Sequence, residues 1–265
     1  MFELQVAHRA AKAAGEILEK YFHQGLAVAR AKEKPHDLVS VADTEAEQAI
    51  VQIIRSACPD HAVLGEEGHA APTDAEHLWI IDPLDGTTNF LHQIPHFAVS
   101  IAYYRAGQPI CGVIYNPIRG DLYEAIRGGG ARHLGTRLQV APHASLTETL
   151  IGVGFYYDRG AMMEATLLAI RDLFRAQIRG IRRFGTASLD LAQVASGSYG
   201  AYFEFELAPW DFAAGRLLVE EAGGRVTTCT GEPLPIGRSS LLAATPVLYE
   251  SVFRLIQPYV PPPPA

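Results

Sequence analysis

Asp82 and Asp85 stand three residues apart, directly ahead of Gly86, Thr87 and Thr88. Carboxylates gather hard cations such as magnesium. Gly86 to Thr88 offer successive backbone N–H groups under little side-chain cover, and a nest of that kind gathers an anion such as phosphate. A cation and a phosphate group could therefore meet at this stretch.

The flanking residues say where the stretch must sit. Trp79, Ile80 and Ile81 read as the end of a buried strand. Asp82-Pro83 then forces an extended exit, because a residue ahead of proline is kept out of the helical region. Asp82 is thus expected at a strand tip, with Asp85-Gly86 as the turn that follows. Asp-Pro and Asp-Gly also serve as ordinary structural turns, so the dipeptides alone leave both readings open.

The whole segment, Trp79-Ile-Ile-Asp-Pro-Leu-Asp-Gly-Thr-Thr-Asn-Phe90, resembles the metal-binding signature of the inositol monophosphatase family almost residue for residue. Leu84 stands where the family has isoleucine. The spacing of the two aspartates also differs from the Asp-x-Asp of haloacid-dehalogenase phosphatases. Gly65-Glu66-Glu67 looks like the family's Gly-Glu-Glu element, and Trp210-Asp211-Phe-Ala-Ala-Gly215 like its second signature, Trp-Asp-x-Ala-x-Gly. Together with Gly185-Thr-Ala187 these motifs span most of the chain. Taken singly, Glu66 would read as a strand-end charge and Asp211 as a helix cap.

The resemblance implies a layered α-β-α-β-α sandwich of the α+β class, a homodimer, and magnesium as cofactor in two to three ions. It implies that Glu66, Asp82 and the carbonyl of Leu84 hold one metal, and that Asp82, Asp85 and Asp211 hold a second. Four ionised carboxylates would be neutralised by two divalent ions, so a phosphate dianion would be held rather than repelled. Without metal the acids repel one another, and some take up protons. A water activated by the cation is expected to be oriented by the Thr87 hydroxyl, itself fixed by Asp43, with Glu66 assisting as base. Asp43 has a competing reading as a helix N-cap. The N–H groups of Gly86 and Thr87 are expected to grip phosphate oxygens, and Asp85, Thr88 and Asp211 to belong with them to the substrate-binding set. Ala187 and Glu204 match substrate-lining positions, although Glu204 on an alternating strand also reads as an exposed-face acid. Lys32 matches a loop lysine near a third, weak metal site, or is a solvated loop lysine.

These residues must be carried by a sizeable fold. At 265 residues and 48% hydrophobic composition, the chain suits one large domain or two small ones sharing a core. Leu4, Ala7, Ala11, Ala14, Leu18 and Tyr21 recur at helical spacing, predicting a helix over 3–22 that ends at Gly25. The charged stretch from Lys32 to Asp37 reads as a surface loop. A second helix should start near Asp43, bury Ala46, Ala49, Ile50, Ile53, Ile54 and Ala57, and stop at Cys58-Pro59. Strands are expected at 62–64, 79–82, 97–104, 110–115 and 122–126, with Gly128 to Gly130 as a turn. The stretch 142–148 has no periodicity, so it divides residues 1–145, carrying Glu66 and Asp82 to Thr88, from residues 146–265, carrying Glu204 and Asp211. Beyond it, strands at 150–154, 178–184, 199–205, 225–228 and 241–244 alternate with helices at about 161–174, 187–196, 211–222 and 247–256. The four prolines at 261–264 read as an extended tail.

Charge and cysteine usage narrow the partners. A formal charge of −7, from 29 acidic and 22 basic residues, leaves no general footprint for nucleic acid. Cys58, Cys111 and Cys229 are isolated, so neither a disulfide framework nor a zinc knuckle is indicated. The N-terminal stretch is amphipathic, and no window approaches 18 uninterrupted apolar residues. A cytoplasmic protein without membrane contact is expected. His92-Gln-Ile-Pro-His96 lacks the glutamate of a zincin helix, and no Gly-x-Ser-x-Gly elbow is present. Arg179, Arg182 and Arg183 form a short basic run, read as a solvated or dimer-edge strand; in a bacterial family member that assists ribosomal RNA transcription, this kind of surface binds a protein partner.

The reading is a magnesium-dependent phosphomonoesterase acting on inositol 1-phosphate, with lithium inhibition implied by the resemblance. Runner-up substrates are fructose 1,6-bisphosphate, adenosine 3',5'-bisphosphate and NADP. An accessory protein in transcription is the alternative of another class. Phe155-Tyr156 lacks the proline often found after that phenylalanine, which bears on substrate choice, and Ser40 stands where threonine is frequent.

Overall fold

The computed structural model describes residues 1–24, 29–31, 38–143 and 145–261, with backbone alone for 29–31 and 38–40. The expectations for Gly25, for the loop from Lys32 to Asp37 and for residues 262–264 lie outside the described residues. Helix α1, Phe2–Gln24, buries Leu4, Ala7, Ala10, Ala11, Ala14 and Leu18 along one stripe. Strands β1, Ala29–Ala31, and β2, Leu38–Ser40, form an antiparallel pair. Helix α2, Val41–Ala57, begins two residues earlier than its apolar spacing indicates, so Asp43 lies within the first turn rather than at the cap.

The first large sheet takes in β3 (Ala62–Gly65), β4 (His77–Asp85), β5 (Ala98–Arg105), β6 (Gln108–Asn116), β7 (Asp121–Ile126), β8 (Gly130–His133) and β9 (Thr136–Arg137), in that order. Every neighbouring pair is antiparallel except β3 and β4, which run parallel. Between β4 and β5 lies the short helix α3, Thr87–Leu91. A second sheet follows, in the order β11 (Gly180–Arg182), β10 (Leu150–Val153), β12 (Ala201–Leu207), β14 (Ser239–Ala244), β13 (Arg225–Thr227). It is mixed: β10 runs parallel to both β11 and β12, while β14 runs antiparallel to β12 and β13.

Helices fill three layers around the two sheets. On the outer face of the first sheet, α1 and α2 enclose a core with Trp79, Ile81, Val99, Ile101 and Val113. Between the sheets lie α5, Ala187–Ala195, and α6, Pro209–Glu221, whose Leu191, Leu217 and Leu218 meet Leu78, Ile80 and Tyr104 from one sheet and Tyr202, Leu241 and Ala243 from the other. Outside the second sheet, α4, Ala161–Arg175, and α7, Pro246–Ile256, cover Ile151, Val153, Phe203 and Leu242. The result is an α-β-α-β-α sandwich. Burial at this scale contributes roughly 1.5–3 kcal/mol for each fully enclosed Leu, Ile or Phe.

Several boundaries differ from the sequence pattern. Strand β11, an edge strand paired with β10 alone, is confined to Gly180–Arg182, so Ile178, Arg179, Arg183 and Phe184 of the expected 178–184 strand lie beyond the ladder. Strands β8 and β9 had no periodic signal; they are short, and β9 is exposed on both residues. Among the described residues, no helix is long and apolar enough to cross a membrane.

Candidate active site

The site begins with a defect in β4. Asp82 pairs with Ser100 and Asp85 with Ala98, so three steps on β4 oppose two on β5. In a regular strand, residues three apart face opposite sides. The bulge at Pro83 and Leu84 restores parity, so both carboxylates face the central α5–α6 layer. Ser100 confirms which face this is, because its Oγ donates to the Trp210 carbonyl of α6 at 3.3 Å.

Glu66 arrives from the neighbouring strand. The parallel register sets Gly65 beside Ile81, and therefore Glu66 beside Asp82. Their carboxyl groups are in hydrogen-bonding contact. Asp82 Oδ1 also accepts the Leu84 N–H at 2.9 Å, which fixes the bulge. Asp211 comes from the far side of the layer as the third residue of α6, where its Oδ2 accepts the Ala208 N–H at 2.7 Å and caps the helix. Capping and site membership thus coexist in one side chain.

Asp85 bridges the two halves of the chain. Its Oδ2 accepts both the Ser188 N–H at 2.7 Å and the Ser188 hydroxyl at 2.5 Å, and its Oδ1 accepts the Ala187 N–H at 3.3 Å. A carboxylate at the start of α5 is favoured by the helix N-terminus. Thr87 Oγ1 lies 3.2 Å from Asp43 Oδ1 and 3.2 Å from the Leu84 carbonyl, so its one proton is shared between them. Asp43 is fully buried and aims inward from α2. Gly86 holds φ of 99°, a left-handed turn suited to glycine, and no side chain caps the first turn of α3 that follows.

Glu66, Asp82, Leu84, Asp85, Gly86, Thr87, Thr88, Ala187, Glu204 and Asp211 line one cavity of about 630 Å³. Asp43 stands behind it, and Lys32 lies outside the described residues. Glu204 is 7% exposed, which overturns the exposed-face reading: it shares a strand face with Tyr202, whose hydroxyl donates to Glu204 Oε2 at 2.7 Å. Arg183, exposed like Arg179 and Arg182, also lines the cavity, together with Arg159 and Arg238. Ser188, Asp190 and Tyr202 carried no motif of their own in the sequence, and Arg183 stood there only in the short basic run. Only their places just after the Gly185-Thr-Ala187 element or beside Glu204 could have drawn notice.

Electrostatics set the site apart. Burial pushes Asp82 well above the usual carboxylate range, and the charges of Glu66, Asp85 and Asp211 push the same way. Burial lifts Asp85 to about 6, against the lowering effect of the Ser188 hydroxyl. Asp211 keeps partial solvent access through the cavity, yet enclosure by protein atoms and then the charge of Asp85 raise it well above its ordinary value. Glu204 is raised to about 7 by burial, opposed by the Tyr202 hydrogen bond and Arg183. Mutually repelling carboxylates in one wall are destabilised as anions unless a cation joins them.

That donor set suits a hard divalent ion: the acids are all oxygen ligands, and Glu66, Asp82, Asp85 and Asp211 supply the charge. Among the described residues, no three acidic, histidine or cysteine groups are already closed into a metal cage. Asp82, Asp85 and Asp211 each accept a backbone N–H, which fixes their carboxyl groups in the cavity wall. Chemistry and charge, rather than a preformed cage, carry the fit.

The sequence profile of the inositol monophosphatase family matches residues 3–260. The chain is 42% identical to the Nus factor SuhB of Pseudomonas aeruginosa, over 98% of its own length and 97% of the relative's. It is 40% identical to the inositol-1-monophosphatase of Rhizobium meliloti, over 97% of each chain. The crystal structure of the extragenic suppressor protein suhB from Bartonella henselae superposes with a TM-score of 0.91 at 38% identity, covering 97% of this chain and 98% of that one.

Proposed function

Because this chain belongs to the inositol monophosphatase family, we propose that it is a magnesium-dependent phosphomonoesterase that hydrolyses inositol 1-phosphate to inositol and phosphate. The observation that carries the reading is the meeting of Glu66, Asp82, Asp85 and Asp211 in one cavity, beside the Thr87–Asp43 hydrogen bond. Glu66, Asp82 and the Leu84 carbonyl would hold one magnesium ion, and Asp82, Asp85 and Asp211 another. When bound, magnesium lowers the pKa of a coordinated water and offsets the charge of the phosphate.

The protein's own groups do the rest. Thr87 Oγ1, whose hydroxyl donates its hydrogen bond to Asp43 and the Leu84 carbonyl, presents lone pairs that accept from the attacking water and aim it. Glu66, as base, takes the proton that the attacking water gives up, and the departing alkoxide takes one from solvent. The N–H groups of Gly86, Thr87 and Thr88 meet the phosphate oxygens, so charge is balanced as the P–O bond to the alcohol breaks in line with the attack. No covalent enzyme intermediate is required. Glu204, with Ala187, faces the alcohol end and accepts hydrogen bonds from polyol hydroxyls.

Release of phosphate from inositol 1-phosphate, fructose 1,6-bisphosphate, adenosine 3',5'-bisphosphate and NADP tests the substrate assignment. The inositol ester is expected to lead, with lithium inhibiting. A clear preference for one of the other three would move the assignment within the same chemistry.

The likeness to proteins named Nus factor SuhB supports a second reading, a protein-binding role in transcription. Arg179 and Arg182 are exposed at the edge strand β11 and are the surface it would use. Asp82→Asn should abolish hydrolysis and leave such binding intact.

A further inference from the structure

We propose that Glu47 is a positioning residue for Glu66, through which α2 sets the geometry of the metal-binding carboxylates; the inference rests on the metal-dependent reading above. Glu47 is 3% exposed and lies one helical turn after Asp43. Its Oε2 accepts the Glu67 N–H at 2.8 Å, and its Oε1 accepts from His69 Nδ1 at 2.7 Å. The Gly65 N–H donates to the His69 carbonyl at 2.7 Å, closing the same loop. Glu66 therefore sits in a loop pinned at residues 65, 67 and 69, with one buried carboxylate as the anchor of two pins.

The fit of that anchor is close. A β-carbon added at Gly65 would stand 2.5 Å from Glu47 Oε2, so the carboxylate is seated against bare backbone. Two N–H donors on a buried carboxylate give charge-assisted bonds that hold a geometry more firmly than neutral ones. Asp43, four residues earlier and so on the same helical face, accepts from Thr87 Oγ1 at 3.2 Å. Successive turns of α2 thus hold two separate segments, one bearing Glu66 and the other Thr87. The distance between these segments is fixed by the rise of one helical turn.

The test uses the full chain with Mn2+ as probe, bound metal being read by electron paramagnetic resonance, and with the rise in Tm on adding Mg2+. Glu47→Ala should weaken Mn2+ binding about tenfold, the low end of the effect of losing a direct outer partner of a metal ligand, because Glu47 acts on Glu66 through the loop that carries it. It should also flatten the Mg2+-dependent rise in Tm, while KM for inositol 1-phosphate at saturating Mg2+ stays within about twofold. Glu47→Gln should recover most of the affinity, because its amide oxygen can accept from Glu67 and its amide N–H can donate to the other tautomer of His69. Ile54→Val, buried on the same helix away from the loop, supplies the comparison for general destabilisation. Should the alanine variant not fold, Glu47→Asp, shorter by one methylene, is read in its place. Equal losses in the Glu47 and Ile54 variants, or full Mn2+ affinity without the Glu47 carboxylate, would overturn the proposal and leave the metal-site reading standing. A wild type that binds no Mn2+ would remove both.

Discussion

Ser188 gives two hydrogen bonds to a single oxygen of Asp85, from its hydroxyl at 2.5 Å and its backbone N–H at 2.7 Å. The partners are 103 residues apart and come from different layers of the sandwich. Ser188→Ala removes the hydroxyl and keeps the backbone bond, so Asp85 should be held less firmly and its carboxyl should rise further above about 6. The expected result is an increase of about tenfold in the magnesium needed for half-maximal phosphate release, with the fold intact. A magnesium titration of both proteins checks it.

The acidic wall makes stability depend on pH in a direction that metal reverses. Asp82 and Asp211 are held well above the ordinary carboxylate range by burial and by neighbouring acids, and Asp85 at about 6. A carboxyl raised in the fold contributes stability below its unfolded pKa, near 4, and loses that contribution as pH climbs through the folded value. Metal-free protein should therefore melt at progressively lower temperature from about pH 4 through about pH 6, where Asp85 ionises, and onward as Asp82 and Asp211 lose their protons. Magnesium should raise Tm, and by more at the upper end of that window. Calorimetric scans in EDTA and in excess magnesium decide the matter, and a Tm in EDTA that climbs with pH would contradict it.

Glu204 gives a way to separate substrate recognition from metal binding. A β-carbon at Gly154 would overlap the Glu204 carboxylate, which Tyr202 holds from the other side. Gly154→Ala should thus push Glu204 out of place and raise KM for inositol 1-phosphate by roughly tenfold, since a site built to bond hydroxyls loses selectivity when its acceptor moves. Hydrolysis of p-nitrophenyl phosphate, which has no polyol, should change little. Equal losses on both esters would place Glu204 elsewhere in the mechanism.

Much of the layout was legible because periodicity reports burial. The apolar stripe of α1 and the strand–turn order around Asp82 are local patterns, and the helices at 161–175, 187–195 and 246–256 likewise follow their apolar spacing closely. The bulge between Asp82 and Asp85 was less accessible: Pro83 signals an extended exit, but only pairing with β5 shows that both acids share a face. Ser188, Gly154 and Glu47 were not legible, since each acts through a contact between segments distant in the chain. The burial of Glu204 and the place of Arg183 on the cavity wall likewise depend on how the second sheet meets α5, for which alternation along one strand carries no information. Strand β11 is shorter than the expected 178–184 strand because it pairs with β10 alone, over Gly180 to Arg182.

The most direct test of the account is phosphate release from inositol 1-phosphate by wild type and Asp82→Asn, each in magnesium and in EDTA. Asp82 lies between Glu66 and Asp85 on the bulged strand, and its loss removes the carboxylate common to both proposed ions. Release that requires magnesium and falls by at least about a thousandfold in the variant is the predicted result, in line with removal of several kcal/mol of transition-state charge stabilisation. Release that persists in EDTA, or survives in Asp82→Asn, would contradict a metal-dependent site built on these carboxylates.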